Sequence, residues 1–397
     1  MRKAKRTILT AMLICAGLLS ICSPPPPPAE QQKNYLFVYE EKKMNKKKCF
    51  LPVIILLSVS VPIVVAGSPD AREVLRRFTE ARKNLNSFIV KGSSTRSSTT
   101  TRSGKRVQYY AFETRFDGDR VKNITSLWGD IGVRDRDIKE EDAHYYMNLW
   151  DGETAYSFSK SDNHNKGIGQ LRMSDKDNPG DYSKRAPESF KGSPFGIVMG
   201  YHYGDKVPIG ELFLGSSVKL QLRDKRSNLR GVDCYVLEAD VPKYGKYTVW
   251  IDPVHDYHIA HIRCRRGPGD RMGSESNLLI LKEGAIRKDS YEVLEFEKKG
   301  GAWFPKICKW KKYYTFPGYK SIDENDLTFS MITLDPDHDA LGSFLPDDVP
   351  NGSVVRLLSL PPSMKFVWQD GKVVDEDGRE VDVDKLIKAE SEKVKKP

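Results

Sequence analysis

The chain has 397 residues with 64 Lys+Arg against 54 Asp+Glu, a formal net charge of +10, six cysteines and 39% apolar side chains. Residues 1–66 hold ten of those basic and three of those acidic residues, which leaves 54 against 51, a net +3, in the remaining 331 residues. So even a balance, with no basic stripe interleaved with aromatics, excludes nucleic acid as an expected partner, and the three cysteines beyond residue 66 (Cys234, Cys264, Cys308) exclude a disulfide scaffold.

The first element is a leader. Residues 44–66 read as a secretory signal peptide: Lys46, Lys47 and Lys48 form the basic region, Phe50 to Val65 the apolar region, and Val64-Val65-Ala66 the cleavage site. The exported chain is then expected to begin at Gly67 and to be periplasmic. Glu40-Glu41-Lys42-Lys43 must be encoded by an all-purine stretch able to carry a ribosome-binding site before the Met44 codon, so residues 1–43 read as an extension upstream of the true start. The alternative takes Met1 as the start and anchors the protein in a membrane through residues 1–66. Its two apolar segments, of about 16–18 residues, are short for spanning.

After the leader, Ser68 and Pro69 offer a helix start, and Val74, Leu75, Phe78, Ala81 and Leu85 recur at helical spacing, which predicts an amphipathic helix over 69–86. The Ser/Thr/Arg-rich stretch 93–104 reads as a mobile hairpin loop. From there the period is two. Tyr110, Phe112, Thr114 and Phe116 alternate with polar or small residues before an Asp117-Gly118-Asp119 turn, and strands 146–150 and 154–158 flank Asp151-Gly152. Residues 159–193 are mostly polar and read as a surface excursion. Val218, Leu220 and Leu222 alternate again, followed by a meander of 233–240, 245–252 and 257–264, a hairpin of 290–298 and 302–313, and a strand at 326–334.

One helix followed by strands almost throughout excludes a Rossmann-like or TIM-barrel core, and the lack of repeats excludes a propeller. The expected fold is mainly β: a large curved antiparallel sheet, an unclosed half-barrel, with the N-terminal helix packed as a lid in its concavity. Cys234 and Cys264 fall on the first and third strands of the meander, about 10 Å apart, beyond disulfide reach.

Three segments carry a family resemblance. Gly231 to Glu238, then Tyr247-Thr248-Val249-Trp250-Ile251-Asp252-Pro253, then Tyr257-His258-Ile259-Ala260 resemble the central meander of outer-membrane lipoprotein-sorting (LolA/LolB-like) proteins. The helix before Ser87-Phe88-Ile89-Val90, the Trp150-Asp151-Gly152-Glu153-Thr154 hairpin and Gly301-Ala302-Trp303-Phe304-Pro305 lie in matching order, so the resemblance covers residues 69–345 of the 67–345 domain. It implies a half-barrel lidded by helices whose apolar hollow holds the acyl chains of a lipid or lipoprotein. This chain departs from the family in its length, its polar stretch at 159–193 and its extra residues 350–397, and no individual ligand residue carries over.

The residues expected to line such a hollow are Tyr110, Phe112, Phe116, Tyr156, Phe158, Tyr235, Leu237, Tyr247 and Val249. Inward aromatics in a half-barrel also read simply as core, and for any one residue that reading is the favoured one. Candidates for chemistry are weak. His255, His258 and His261 are spaced like metal ligands, but His258 and His261 differ in strand parity and read as solvated edge histidines. Asp335, Asp337 and Asp339 alternate as in a calcium loop, yet Ala340 stands where that loop requires glycine. With no Gly-x-Ser-x-Gly elbow and no histidine partner for Cys308, no catalytic residue, metal or cofactor is expected.

The C-terminal region, 346–397, reads as a proline-punctuated strap, a hairpin about Gln369-Asp370-Gly371 and a Lys/Glu-rich tail that is a frayed helix or disordered. Three functions follow: an exported carrier for lipid or lipoprotein, an envelope-stress sensing module on the same fold with a protein partner, and an envelope hydrolase. Fold alone selects none of them.

Overall fold

The structure, a computed structural model, describes residues 69–394 apart from 84, 131–136, 161–168, 176–195, 197–198, 202–206, 273–278 and 362. The leader and both candidate start sites lie outside the described residues. Helix α1 (Ala71–Lys83) opens the described chain. It starts two residues later than the sequence predicts, where the Asp70 carboxylate caps it by accepting the Glu73 N–H at 2.8 Å.

Strands β1 (Ser87–Thr100), β2 (Gly104–Asp117), β3 (Arg120–Asp130), β4 (Asp137–Ile138), β5 (His144–Trp150), β6 (Thr154–Lys160) and β7 (Gln170–Asp175) follow. A short helix α2 (Ile209–Phe213) precedes β8 (Lys219–Leu222), β9 (Ser227–Leu229) and the meander β10 (Val232–Val241), β11 (Gly245–Asp252), β12 (His258–Arg266). A separate two-stranded pair, β13 (Arg271–Met272) and β14 (Leu279–Ile280), leads to three long strands, β15 (Ile286–Lys299), β16 (Ala302–Phe316) and β17 (Tyr319–Leu334). The C-terminal region adds β18 (Val354–Leu357), β19 (Phe366–Gln369), β20 (Lys372–Val374) and helix α3 (Val383–Val394).

All but the β13–β14 pair join one sheet. Across it the order runs from β8 and β9 through β10, β11, β12, β15, β16, β17, β1, β2, β3, β5, β6, β7, β18 and β19 to β20, with β4 on the far end of β3. The two edges, β8/β9 and β20, do not meet, so the sheet is unclosed. It is mixed rather than purely antiparallel: β18 runs parallel to β7. The chain between β7 and β18 is long enough for the crossover that a parallel pair needs.

Two further expectations change. Residues 93–100 are strand rather than loop, and only 101–103 turn. Their Ser/Thr composition does not prevent this, because β1 has β17 on one side and β2 on the other to satisfy its backbone groups. The 159–193 stretch contains the end of β6 and all of β7, whose Leu171 and Met173 pair with Phe158 and Tyr156. The rest of it, save Gly169 and strand residues, lies outside the described residues.

The sheet has an apolar layer on each face. On the inner face, Val74, Leu75 and Phe78 of α1 and Ile209 and Phe213 of α2 pack on Phe88, Val90, Leu237, Val249, Ile262, Tyr291, Cys308 and Leu327. Gly92 belongs to this face because the Phe112 ring crosses directly over it, where a β-carbon would collide. On the outer face, Met147, Leu149, Phe158, Leu171 and Met173 are covered by Phe344, Val349, Leu360 and the C-terminal strands.

Candidate functional site

Parity along paired strands decides which expected lining residues share a face. Leu237 pairs with Val249 and Val249 with Ile262, Ala239 with Tyr247, and Tyr235 with Ile251, which puts Tyr235, Leu237, Tyr247 and Val249 in one buried inner patch. Phe112 and Phe116 pack against the same patch from β2, with Phe112 edge-on to Phe329 at 5.8 Å and Phe116 stacked on Phe88 at 5.2 Å. Tyr110 shares their parity but stands outside that cluster, its hydroxyl donating to Gln108 Oε1 at 2.9 Å.

Tyr156 and Phe158 do not join them. Phe116 pairs with Val121, Val121 with Trp150, and Trp150 with Ala155, so the inner row crosses β6 at Ala155. Tyr156 and Phe158 register instead with Leu149 and Met147 in the outer layer. The expectation of one hollow lined by all nine residues is therefore corrected. The alternation within each strand was right, but the sequence does not reveal which parity of β6 continues the inner row of β2.

Where α1 meets the ends of the β11–β12 and β15–β16 hairpins, the seam opens into a cleft of about 530 Å³. Leu85, Ala302, Trp303 and Leu334 supply its apolar wall, and Arg82, Asp256 and Asp335 its polar groups. That volume lies within the usual range for small-molecule sites.

A polar latch holds α1 at this end. Arg82, buried at the helix terminus, donates to a ring nitrogen of His258 and, through Nη2, to the Asp256 carbonyl at 3.0 Å. The other His258 nitrogen, Nε2, donates to the Trp303 carbonyl at 2.5 Å, and the Trp303 N–H returns a bond to Asp256 Oδ2 at 2.9 Å. Burial first, then the adjacent Arg82 guanidinium, hold His258 well below the ordinary imidazole pKa, so it stays neutral and accepts from the cation. Burial also lowers Arg82, to about 10. Arg77 Nη1 reaches the Tyr257 hydroxyl at 2.6 Å one turn earlier. The receiving turn is strained, with Asp256 at φ 50° and Tyr257 at φ 55°.

The histidines are thus not solvated edge residues. His258 is 1% exposed and His261 6%, and His255 is tied to Asp252 Oδ2 at 2.6 Å and stacked on Phe296. Strand β12 is not an edge, because β15 pairs with it from His261 to Arg266. Among the described residues no group of three or more His, Cys, Asp or Glu is placed to hold a metal. Cys234, Cys264 and Cys308 are buried, with β11 between the first two as expected. Among the described residues no helix is long and apolar enough to cross a membrane.

No family model matches the chain, and no curated protein does. Among solved structures it is similar to a DUF1329 family protein from Desulfovibrio piger, at 12% identity and a TM-score of 0.36, over 70% of this chain and 98% of that one. It is similar to a LolA superfamily protein from Nitrosomonas europaea, at 15% identity and a TM-score of 0.31, over 71% and 100%. MucB in complex with MucA matches at 10% identity and a TM-score of 0.21, over 67% and 100%. Likeness at these scores carries no functional argument.

Proposed function

We propose that this is an exported, periplasmic binding protein that takes the acyl chain of a lipid or lipoprotein on the inner face of its sheet, with α1 as the lid. The observation that carries the reading is the cleft at the seam of α1 and the sheet. Two of its lining residues, Tyr257 and Leu334, also pack against the apolar cluster that a thirteen-residue helix and a five-residue one cover. Each methylene sheltered there gains about 0.8 kcal/mol, so a long chain needs no specific polar contact to be held.

Val249 is wholly buried, so a charge at that position would test folding rather than binding. Leu334 lines the cleft, and Thr333, its neighbour of opposite parity, is exposed. With delipidated full-length protein and a dansylated fatty acid, the wild type should show saturable uptake. Leu334→Arg should weaken it about tenfold or more, since the chain must then displace a charge, and Thr333→Arg should leave it intact. No uptake by the wild type, or equal behaviour of the two variants, overturns the reading.

A further inference from the structure

The inner face changes character along its strands. From Phe88 to Ser94 its β1 positions face apolar partners on β17: Leu334, Ile332, Phe329 and Leu327. One step further the partners are polar. Arg96 pairs with Asn325, Asn325 with Trp310, and Trp310 with Tyr291, and in the next row Asp323 pairs with Lys312 and Lys312 with Asp289. Beyond Asp289 lie Arg287 and, on β12, Arg266. Eight residues of extended strand separate Phe88 from Arg96, about 27 Å.

The cations outnumber the carboxylates in this half: Arg96, Arg266, Arg287 and Lys312 stand against Asp289 and Asp323. Asp289 is shared, receiving Arg287 Nε at 2.8 Å and Arg266 Nη1 at 3.4 Å. Arg96 approaches Asp323 at 3.4 Å. Arg266 is committed to the scaffold by its bonds to the Tyr244 carbonyl and the Tyr247 hydroxyl, both at 2.9 Å. Arg96 keeps more than a third of its side chain open to solvent, and Lys312 stacks its ammonium 3.8 Å from the Trp310 ring centroid. Asn325, 8% exposed, sits in the middle of the row with its amide oxygen position unbonded. An amide in that place turns either end toward a ligand at no cost in packing.

We propose that this polar half of the inner face is a headgroup subsite for the phosphate of an anionic amphiphile, with Arg96 and Lys312 as its ligands and Asn325 as a further hydrogen-bonding group. It rests on the acyl-binding reading above: the chain lies in the apolar half and the phosphate about one strand length away. Burial first, and next the neighbouring Arg287, push Lys312 down to about 8, and a phosphate seated beside it would favour its charged form. Guanidinium and ammonium groups at the end of an apolar surface suit a phosphate better than a neutral sugar or glycerol, because the charge-assisted bonds are the stronger ones.

The test uses full-length delipidated protein and three probes titrated separately: lysophosphatidic acid, the monoacylglycerol of the same chain, and inorganic phosphate. The phospholipid should bind at least tenfold more tightly than the monoacylglycerol. Lys312→Gln and Arg96→Gln should each shrink that ratio, Lys312→Arg should restore it, and Leu334→Arg should weaken both lipids alike. Thermal unfolding of each variant confirms that it is folded. Equal binding of the two lipids, or a ratio untouched by either Gln variant, overturns the headgroup subsite while leaving acyl binding standing. Binding of inorganic phosphate with neither lipid keeps an anion site but removes the amphiphile, and with it the proposal. Binding of none of the three overturns both readings.

Discussion

The two faces of the sheet bury apolar rows of similar size under covers of different kinds. The outer rows, Met147, Phe158, Leu171 and Leu149, Tyr156, Met173, are covered by residues 344–373, which also extend the sheet through β18, β19 and β20. Lys122, 0% exposed, ties that cover down by donating to the Leu345 carbonyl at 2.8 Å and to Asp347 at 2.6 Å, with Asp348 at 2.8 Å. The inner rows are covered by α1, which shares no ladder bonds with the sheet and is held by Arg82 near its C-terminal end and by Arg77 at its middle. A cover built into the ladder is part of the cooperative unit, whereas a cover docked by side chains has its own, lower opening free energy.

The widest expected effect is from removing the outer cover. A chain ending at Asp335 should lose cooperative thermal unfolding and bind a hydrophobic dye, because Met147, Leu149, Phe158 and Leu171 are then bare. If it melts as sharply as the full chain, the outer layer is not part of the unit and the contrast between the faces fails.

Single side chains sharpen the contrast. Phe158→Ala, in the outer layer, should cost about 3–5 kcal/mol in denaturant unfolding. Phe78→Ala removes an equally buried ring from α1, but its global cost is capped by the free energy of docking the helix and should be smaller by about 1 kcal/mol or more. Equal costs would make α1 an ordinary core helix. Lys122→Ala should cost about 2–3 kcal/mol; its partners Asp347 and Asp348 retain solvent, which keeps the loss below that of a fully buried pair. Arg82→Ala is smaller still, about 1 kcal/mol, and its clearer reading is faster amide exchange confined to α1.

Much of this architecture is legible in the chain itself. The turn chemistry at Asp117-Gly118, Asp151-Gly152 and Lys299-Gly300-Gly301 sets the hairpins, and alternation sets each strand's two faces. What alternation leaves open is how the faces of separate hairpins join, which depends on register across partners far apart in sequence; Tyr156 and Phe158 went to the wrong face for that reason. The latch was hidden too, since Arg82 and His258 lie 176 positions apart and neither belongs to a motif. The polar half of the inner face left a signal that the apolar pattern obscured. Carrying inner parity past the last apolar residue reads Val293, Tyr291, Asp289, Arg287 on β15 and Cys308, Trp310, Lys312 on β16, a row that turns charged on both strands at one level.

That polar level makes the smallest prediction, and it separates the two halves of the inner face. Lys312 sits at about 8 in the folded protein against an ordinary 10.5, because burial and then Arg287 disfavour its charge more than Asp289 favours it. Between those two values the unfolded chain binds the proton and the folded chain does not. The free energy of unfolding therefore rises with pH across that window, and the contribution is lost as pH falls through 8. The other charged groups facing Lys312 are Arg96 and Asp323. Lys312→Gln should accordingly flatten the pH dependence of stability between about 8 and 10, while leaving the profile below pH 7 parallel to the wild type. A saturating phosphate-bearing amphiphile should flatten it as well, by restoring the charge on Lys312. Wild type and Lys312→Gln profiles of the same slope above pH 8 would show that folding does not disfavour the charge on Lys312, and the pH argument for that side chain fails.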